Sequence, residues 1–144
     1  MIILLSFLLS ADTINFYVDP FICRTTIEII DTVTQITKEE DIFYIEFNCG
    51  IPYHELSYAT VDSKIITKAI IAFKLINLDY LDSLSDTLYR QFTIPSFSQA
   101  ARQEMSFIIQ FGLHVPEGNF RYKIDIFSGA KRGSVESEIA IRKE

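Results

Sequence analysis

Apolar and polar residues alternate along much of this chain with a period of two. Met105, Phe107, Ile109, Phe111, Leu113 and Val115 take every second position, and after Pro116-Glu117-Gly118 the alternation resumes at Phe120, Tyr122, Ile124 and Ile126. A two-residue period puts each apolar row on one face of a strand, so Met105 to Ile126 predicts a β-hairpin with one face in a core. Phe43, Ile45, Phe47 and Cys49 alternate with Tyr44, Glu46 and Asn48 in the same way, in a strand that ends at Gly50-Ile51-Pro52. Ile65 to Leu78 is apolar on both faces. Its β-branched residues and evenly spaced lysines favour a strand over a helix.

Weaker signals fill the rest. Ile14 to Val18 predicts a short strand that stops at Asp19-Pro20, because proline lacks a ladder donor. The β-branched run from Thr25 to Thr37 predicts another strand, and Lys38-Glu39-Glu40-Asp41 a solvated turn. Asn77 to Asp86 reads as a loop, and Leu88, Phe92 and Ile94 as a strand closed by Pro95. Ser96 to Glu104 holds at most one helical turn, and Ser128 to Gly133 turns into a last strand with Val135, Ile139 and Ile141. About seven strands at short spacing, with no repeated helix-strand units, predict an all-β fold: an antiparallel two-sheet, immunoglobulin-like β-sandwich.

Length and charge narrow the function. The 144 residues suit a single domain. Ile2 to Ala11 carries no charge and ends in small residues ahead of Asp12, the length of a secretory apolar region but without a preceding Lys or Arg. It falls short of the ~20 residues of a membrane-crossing helix. The expected organisation is therefore a signal peptide over residues 1–11 and one sandwich domain over residues 12–144. The product would be exported, periplasmic or extracellular, with no integral membrane span. A net charge of −6 repels a phosphate backbone, so nucleic acid is not an expected partner. In an oxidising compartment a Cys23–Cys49 disulfide is chemically allowed, although free buried cysteine is also common.

No constellation of catalytic residues stands out. His54 and His114 lack a nearby nucleophile in a recognisable setting, and His114 falls on the polar face of its strand. Asp79, Asp82 and Asp86 do not follow a calcium-loop spacing, and Glu136 and Glu138 read as solvating residues of one strand face. No catalytic, cofactor-binding or metal-binding residue is expected. Tyr44, Tyr53, Tyr58 and Tyr89 are the candidates for a recognition surface, since tyrosine offers a rigid face with a polar tip.

Phe47-Asn48-Cys49-Gly50-Ile51-Pro52-Tyr53-His54-Glu55-Leu56 leads a strand into an Ile-Pro-Tyr turn, and a Pro-x-Gly-x-aromatic turn follows at Pro116 to Phe120. Together these segments resemble the β-sandwich region of bacterial exported proteins named for a Gly-Trp-x-Thr-Asp (GWxTD) motif, over about Asp41 to Ile141. The chain has no tryptophan, so the naming motif itself is absent. The resemblance implies an exported, non-catalytic sandwich. The expected function is protein-protein interaction with an envelope or exterior partner, or a structural role there. A carbohydrate- or small-ligand-binding module using the exposed tyrosines is the alternative.

Overall fold

The rows of alternate apolar residues become the facing interiors of two antiparallel sheets. The computed structural model describes residues 13–102 and 104–143, and the expected leader lies outside them. Among the described residues there are eight strands, rather than about seven: β1 (Tyr17–Ile30), β2 (Thr37–Pro52), β3 (Ala59–Val61), β4 (Lys64–Asn77), β5 (Ser83–Ile94), β6 (Ser106–Val115), β7 (Gly118–Ser128) and β8 (Lys131–Ile141). One helical turn, α1 (Phe97–Ala100), precedes β6. The smaller sheet has the order β1-β2-β6. In the larger, β4 lies between β5 and β7, β8 follows β7, and short β3 pairs with the start of β4.

Phe47 joins the sheets. It is fully buried on β2, with its ring 5.1 Å from Phe73 of β4, 5.0 Å from Tyr122 of β7 and 5.5 Å from Phe111 of β6. Ile45, Cys49 and Ile51 extend this row on β2, and Ile71, Ile124 and Ile126 meet it from the larger sheet. The long apolar segment of β4 is a strand as expected. Thr67, Ala69, Ile71, Phe73 and Leu75 are buried, while Lys68, Ile70 and Lys74 face outward.

The segment Met105 to Ile126 is not a hairpin. β6 pairs with β2, and β7 pairs with β4 and β8, so Pro116-Glu117 carries the chain from one sheet to the other. Gly118 makes this corner with φ +154°, a backbone region that side chains disfavour. Alternation reports which face is buried and is silent about which strand lies alongside. Burial records the difference: Phe120, Tyr122, Ile124 and Ile126 on interior β7 are all buried, whereas Phe107, Phe111 and Leu113 on edge strand β6 are only half-buried.

Two further expectations are corrected. Pro20 does not end the first strand: β1 runs through it to Ile30, paired with β2 along its whole length. β1 is an edge strand, where a missing N–H can face solvent. Lys38 to Asp41 is not a turn but lies within β2; the turn is at Thr32 to Ile36, and Glu39 and Glu40 are exposed because that part of the ladder stands in solvent.

β4 changes partners midway, from β3 at Lys64–Ile66 to β7 at Ile70–Asn77. The buried hydroxyls of Thr67 and Ser128 sit at this joint, 3.3 Å apart, and Ser128 Oγ also accepts the N–H of Ser57 at 3.1 Å. Each satisfies the other in a place where the backbone ladder passes from one neighbour to the next.

Phe47→Ala should remove the ring that three others pack on and lower unfolding free energy by about 3–5 kcal/mol in denaturant titration. Val33→Ala, at a solvent-exposed turn, should shift it by no more than ~0.5 kcal/mol.

Candidate interaction surface

β1 and β2 outrun the sheet they belong to. β2 acquires its second neighbour, β6, only from Phe43 onward, so residues 25–30 and 37–42 form a two-stranded arm with a turn at its tip. Six residue pairs at ~3.3 Å per residue give a projection of about 20 Å. Every residue from Phe21 to Glu40 is exposed. Large apolar side chains are among them: Phe21, Ile22, Ile27, Ile29, Ile30, Val33 (89% exposed) and Ile36.

The sequence builds the tip locally. Asp31 accepts the backbone N–H groups of Val33 at 2.8 Å and Thr34 at 3.2 Å through one carboxylate oxygen. Gln35 takes φ +62°, and its N–H donates to Asp31 O, while Asp31 N–H donates to Ile36 O and closes the loop. A second carboxylate fixes the base. Asp41 receives the Thr26 hydroxyl at 3.0 Å, Arg24 Nη2 at 2.9 Å and Lys143 Nζ at 3.4 Å, and Arg24 Nη1 donates to the carbonyl of Lys143. These groups border an open polar cleft of about 750 Å³ that Tyr80, Pro116 and Glu117 close on the body side.

The pairing sets two faces. On the core-facing side Arg24, Thr26, Glu28 and Ile30 stand opposite Phe43, Asp41, Glu39 and Thr37. Glu28 and Glu39 are therefore direct cross-strand neighbours of like charge, an unfavourable pair. On the outer side Phe21, Cys23, Thr25, Ile27 and Ile29 line up along β1. Cys23, Tyr44 and His114 make one row across the sheet, with the Tyr44 and His114 rings 5.1 Å apart. Gly112 gives the Tyr44 ring its place, since a Cβ there would come within 2.4 Å of it.

The four tyrosines do not form one surface. Tyr44 is on the outer face of the smaller sheet, and Tyr89, 70% exposed, belongs to β5 of the larger sheet, opposite Ile70. Tyr53 and Tyr58 are brought together at the end of β2 away from the arm. There Tyr53 stacks on Phe107 at 4.1 Å, Phe107 stacks on Phe92, and the Tyr58 hydroxyl donates to Tyr53 O. Burial pushes the Tyr58 phenol up to about 12. Cys23 and Cys49 are both free, the first exposed and the second buried. They project from opposite faces of the smaller sheet, Cys23 opposite Tyr44 and Cys49 opposite Val18, a placement that does not bring the sulfurs together.

The remaining polar candidates have structural partners. Asp79 accepts the backbone and side-chain N–H groups of Asn119, and Asp86 accepts Thr87 N–H. Arg121 bridges Glu136 and Glu138, at 3.8 and 2.8 Å. His54 Nε2 lies 3.4 Å from Glu55 Oε1. Among the described residues no three His, Cys, Asp or Glu side chains gather as metal ligands, and no helix is long and apolar enough to cross a membrane. The feature sequence reasoning missed is the arm. Its signals were Ile27, Ile29 and Ile30 on both faces of one strand, and Asp31 placed to cap Thr32-Val33-Thr34.

Acid should loosen the arm before the body. The Val33 and Thr34 N–H groups hold the Asp31 carboxyl below its ordinary value of 3.8, and the Thr26 hydroxyl, helped by Arg24 and Lys143, does the same for Asp41. Depressed folded values mean that this stabilisation is full above 3.8 and disappears as the pH falls through the lower folded values. Hydrogen exchange should therefore show arm amides losing protection below that pH while β4 and β7 keep theirs, and Asp41→Asn should weaken arm protection already at neutral pH. In thiol titration Cys23 should react at once and Cys49 only on unfolding, because burial pushes the Cys49 thiol up to about 12.

No protein-family model matches the chain, and no curated protein does. Among solved structures, a Bordetella pertussis protein given the provisional name ApaA is similar over 88% of this chain and 97% of its own, with 11% identity and a TM-score of 0.38.

Proposed function

We propose that this protein is a non-enzymatic, exported β-sandwich module, immunoglobulin-like in architecture, that serves protein-protein contact or a structural role in the cell envelope. The observation that carries the reading is the arm: an exposed, apolar-rich ribbon whose outer edge pairs with no strand among the described residues. Contiguous exposed apolar surface is costly in water and marks surfaces that are covered in use, and an open strand edge is a template for another strand. Asp31, Glu28, Glu39, Glu40 and Asp41 make the arm acid-rich, which favours a protein partner over nucleic acid or an anionic bilayer. The GWxTD-like segments at Ile51-Pro52-Tyr53 and Pro116 to Phe120 support placement in the periplasm or outside the cell.

The carbohydrate or small-ligand reading keeps one foothold. Tyr89 borders a hollow of about 270 Å³ with Ile70, Lys68 and Gln91 on the outer face of the larger sheet. Sugar binding on a glycan array that is lost in Tyr89→Ala would favour that reading.

A photo-activated cross-linking residue at Val33 should give discrete protein adducts in cells, and the same residue at Glu117 or Tyr89 should not. No adduct from any arm position would remove the arm as a contact surface.

A further inference from the structure

Resting on that reading of the arm, we propose that its partner is a second copy of this chain, joined by antiparallel pairing of β1 with β1 about a two-fold axis at Thr26. The two smaller sheets then become one continuous sheet of six strands.

The order of residues along β1 is self-complementary about that point. Thr26 meets the partner's Thr26, Thr25 the partner's Ile27, Arg24 the partner's Glu28, Cys23 the partner's Ile29 and Ile22 the partner's Ile30. Each of these pairs shares one face of the sheet. The arrangement supplies a partner for Glu28, which faces Glu39 across its own ladder and makes no ion pair with a cation among the described residues. In the pair, the partner's Arg24 takes that place. Arg24 holds Asp41 through Nη2 and the Lys143 carbonyl through Nη1, and the guanidinium has donors to spare for a further carboxylate.

Neighbouring registers are worse. A slip of two residues one way sets Arg24 against the partner's Thr26 and Ile30 against the partner's Pro20, which has no N–H to give. A slip the other way sets Arg24 against the partner's Ile30 and Glu28 against the partner's Thr26. The favoured register uses the nine residues between Pro20–Phe21 and the Asp31 turn, and no more.

One other edge, that of β8, is guarded where this one is open. The edge of β8 is partly covered, since Ile14 N–H donates to Arg132 O, and it carries Lys131, Arg132, Glu136 and Glu138. β1 from Ile22 to Ile30 has no lysine, proline or covering segment among the described residues. A free two-stranded ribbon is marginal in water, and pairing gives each arm a third and fourth strand. A nine-residue ladder about 30 Å long is smaller than a standard protein interface, so association should be reversible on dilution, in the micromolar range.

Sedimentation equilibrium of the full chain should show a concentration-dependent dimer, and Glu28→Arg should weaken it at least tenfold while leaving the circular dichroism and the thermal midpoint of the body unchanged. Under mild oxidation Ile29→Cys should form an intermolecular disulfide with the partner's Cys23, and the added Cys23→Ser change should abolish the link. A unit that remains monomeric at every concentration overturns the dimer, and so does a wild-type Cys23 self-link faster than the Ile29→Cys link, which would mean another register. If the chain is monomeric while Val33 still cross-links to a different protein, the dimer fails and the contact role of the arm stands. If it is monomeric and Val33 captures nothing, both fail.

Discussion

Phe47 holds this molecule together, because a three-stranded sheet cannot keep its shape without a second layer. Its ring lies among Phe73, Phe111 and Tyr122, so the middle strand of the smaller sheet is anchored to the two central strands of the larger. The anchor lies in the half of β2 that has neighbours on both sides. The other half pairs only with β1 among the described residues, and its residues Thr37 to Glu40 are exposed. The arm is what remains when a sixteen-residue strand is clamped at one end.

Two carboxylates make that free half persist as a ribbon. Asp31 closes the tip by collecting N–H groups that a chain reversal would leave without partners, and Asp41 binds the base through a hydroxyl and two cations. Neither contributes to the core, and exposed ion pairs of this kind are individually weak. Their effect is geometric: they fix the direction in which Ile27, Ile29 and Val33 point, at sites with no apolar packing to do it.

The sequence disclosed which residues look inward far better than which strands touch. The rows Phe43-Ile45-Phe47-Cys49 and Phe120-Tyr122-Ile124-Ile126 are buried as their alternation required, and the strand over Lys64–Asn77 resolved a real helix-or-strand ambiguity correctly. The Pro116-Glu117-Gly118 corner looked like a hairpin turn because a short polar break serves equally well for turning back within a sheet and for stepping across to the facing one. Pro20 and Lys38 to Asp41 misled for a related reason: proline and clustered charge signal the end of an interior strand, and both are compatible with an edge that stands in water. The tyrosines were legible as amphipathic residues, but their grouping depended on the strand order, which placed Tyr53 and Tyr58 together and separated Tyr44 from Tyr89.

The joint where β4 exchanges β3 for β7 carries a different kind of constraint. Thr67 and Ser128 are sixty-one residues apart in the chain and satisfy each other inside an otherwise apolar interior, with Ser57 N–H dependent on the same hydroxyl. Replacing Ser128 by an apolar residue takes this partner from both the Thr67 hydroxyl and the Ser57 N–H, whereas replacing Thr67 leaves Ser128 still accepting the Ser57 N–H. The two positions thus carry unequal evolutionary constraint: among descendants of this sequence Thr67 should turn apolar more readily than Ser128, on which a hydroxyl and a backbone N–H both depend.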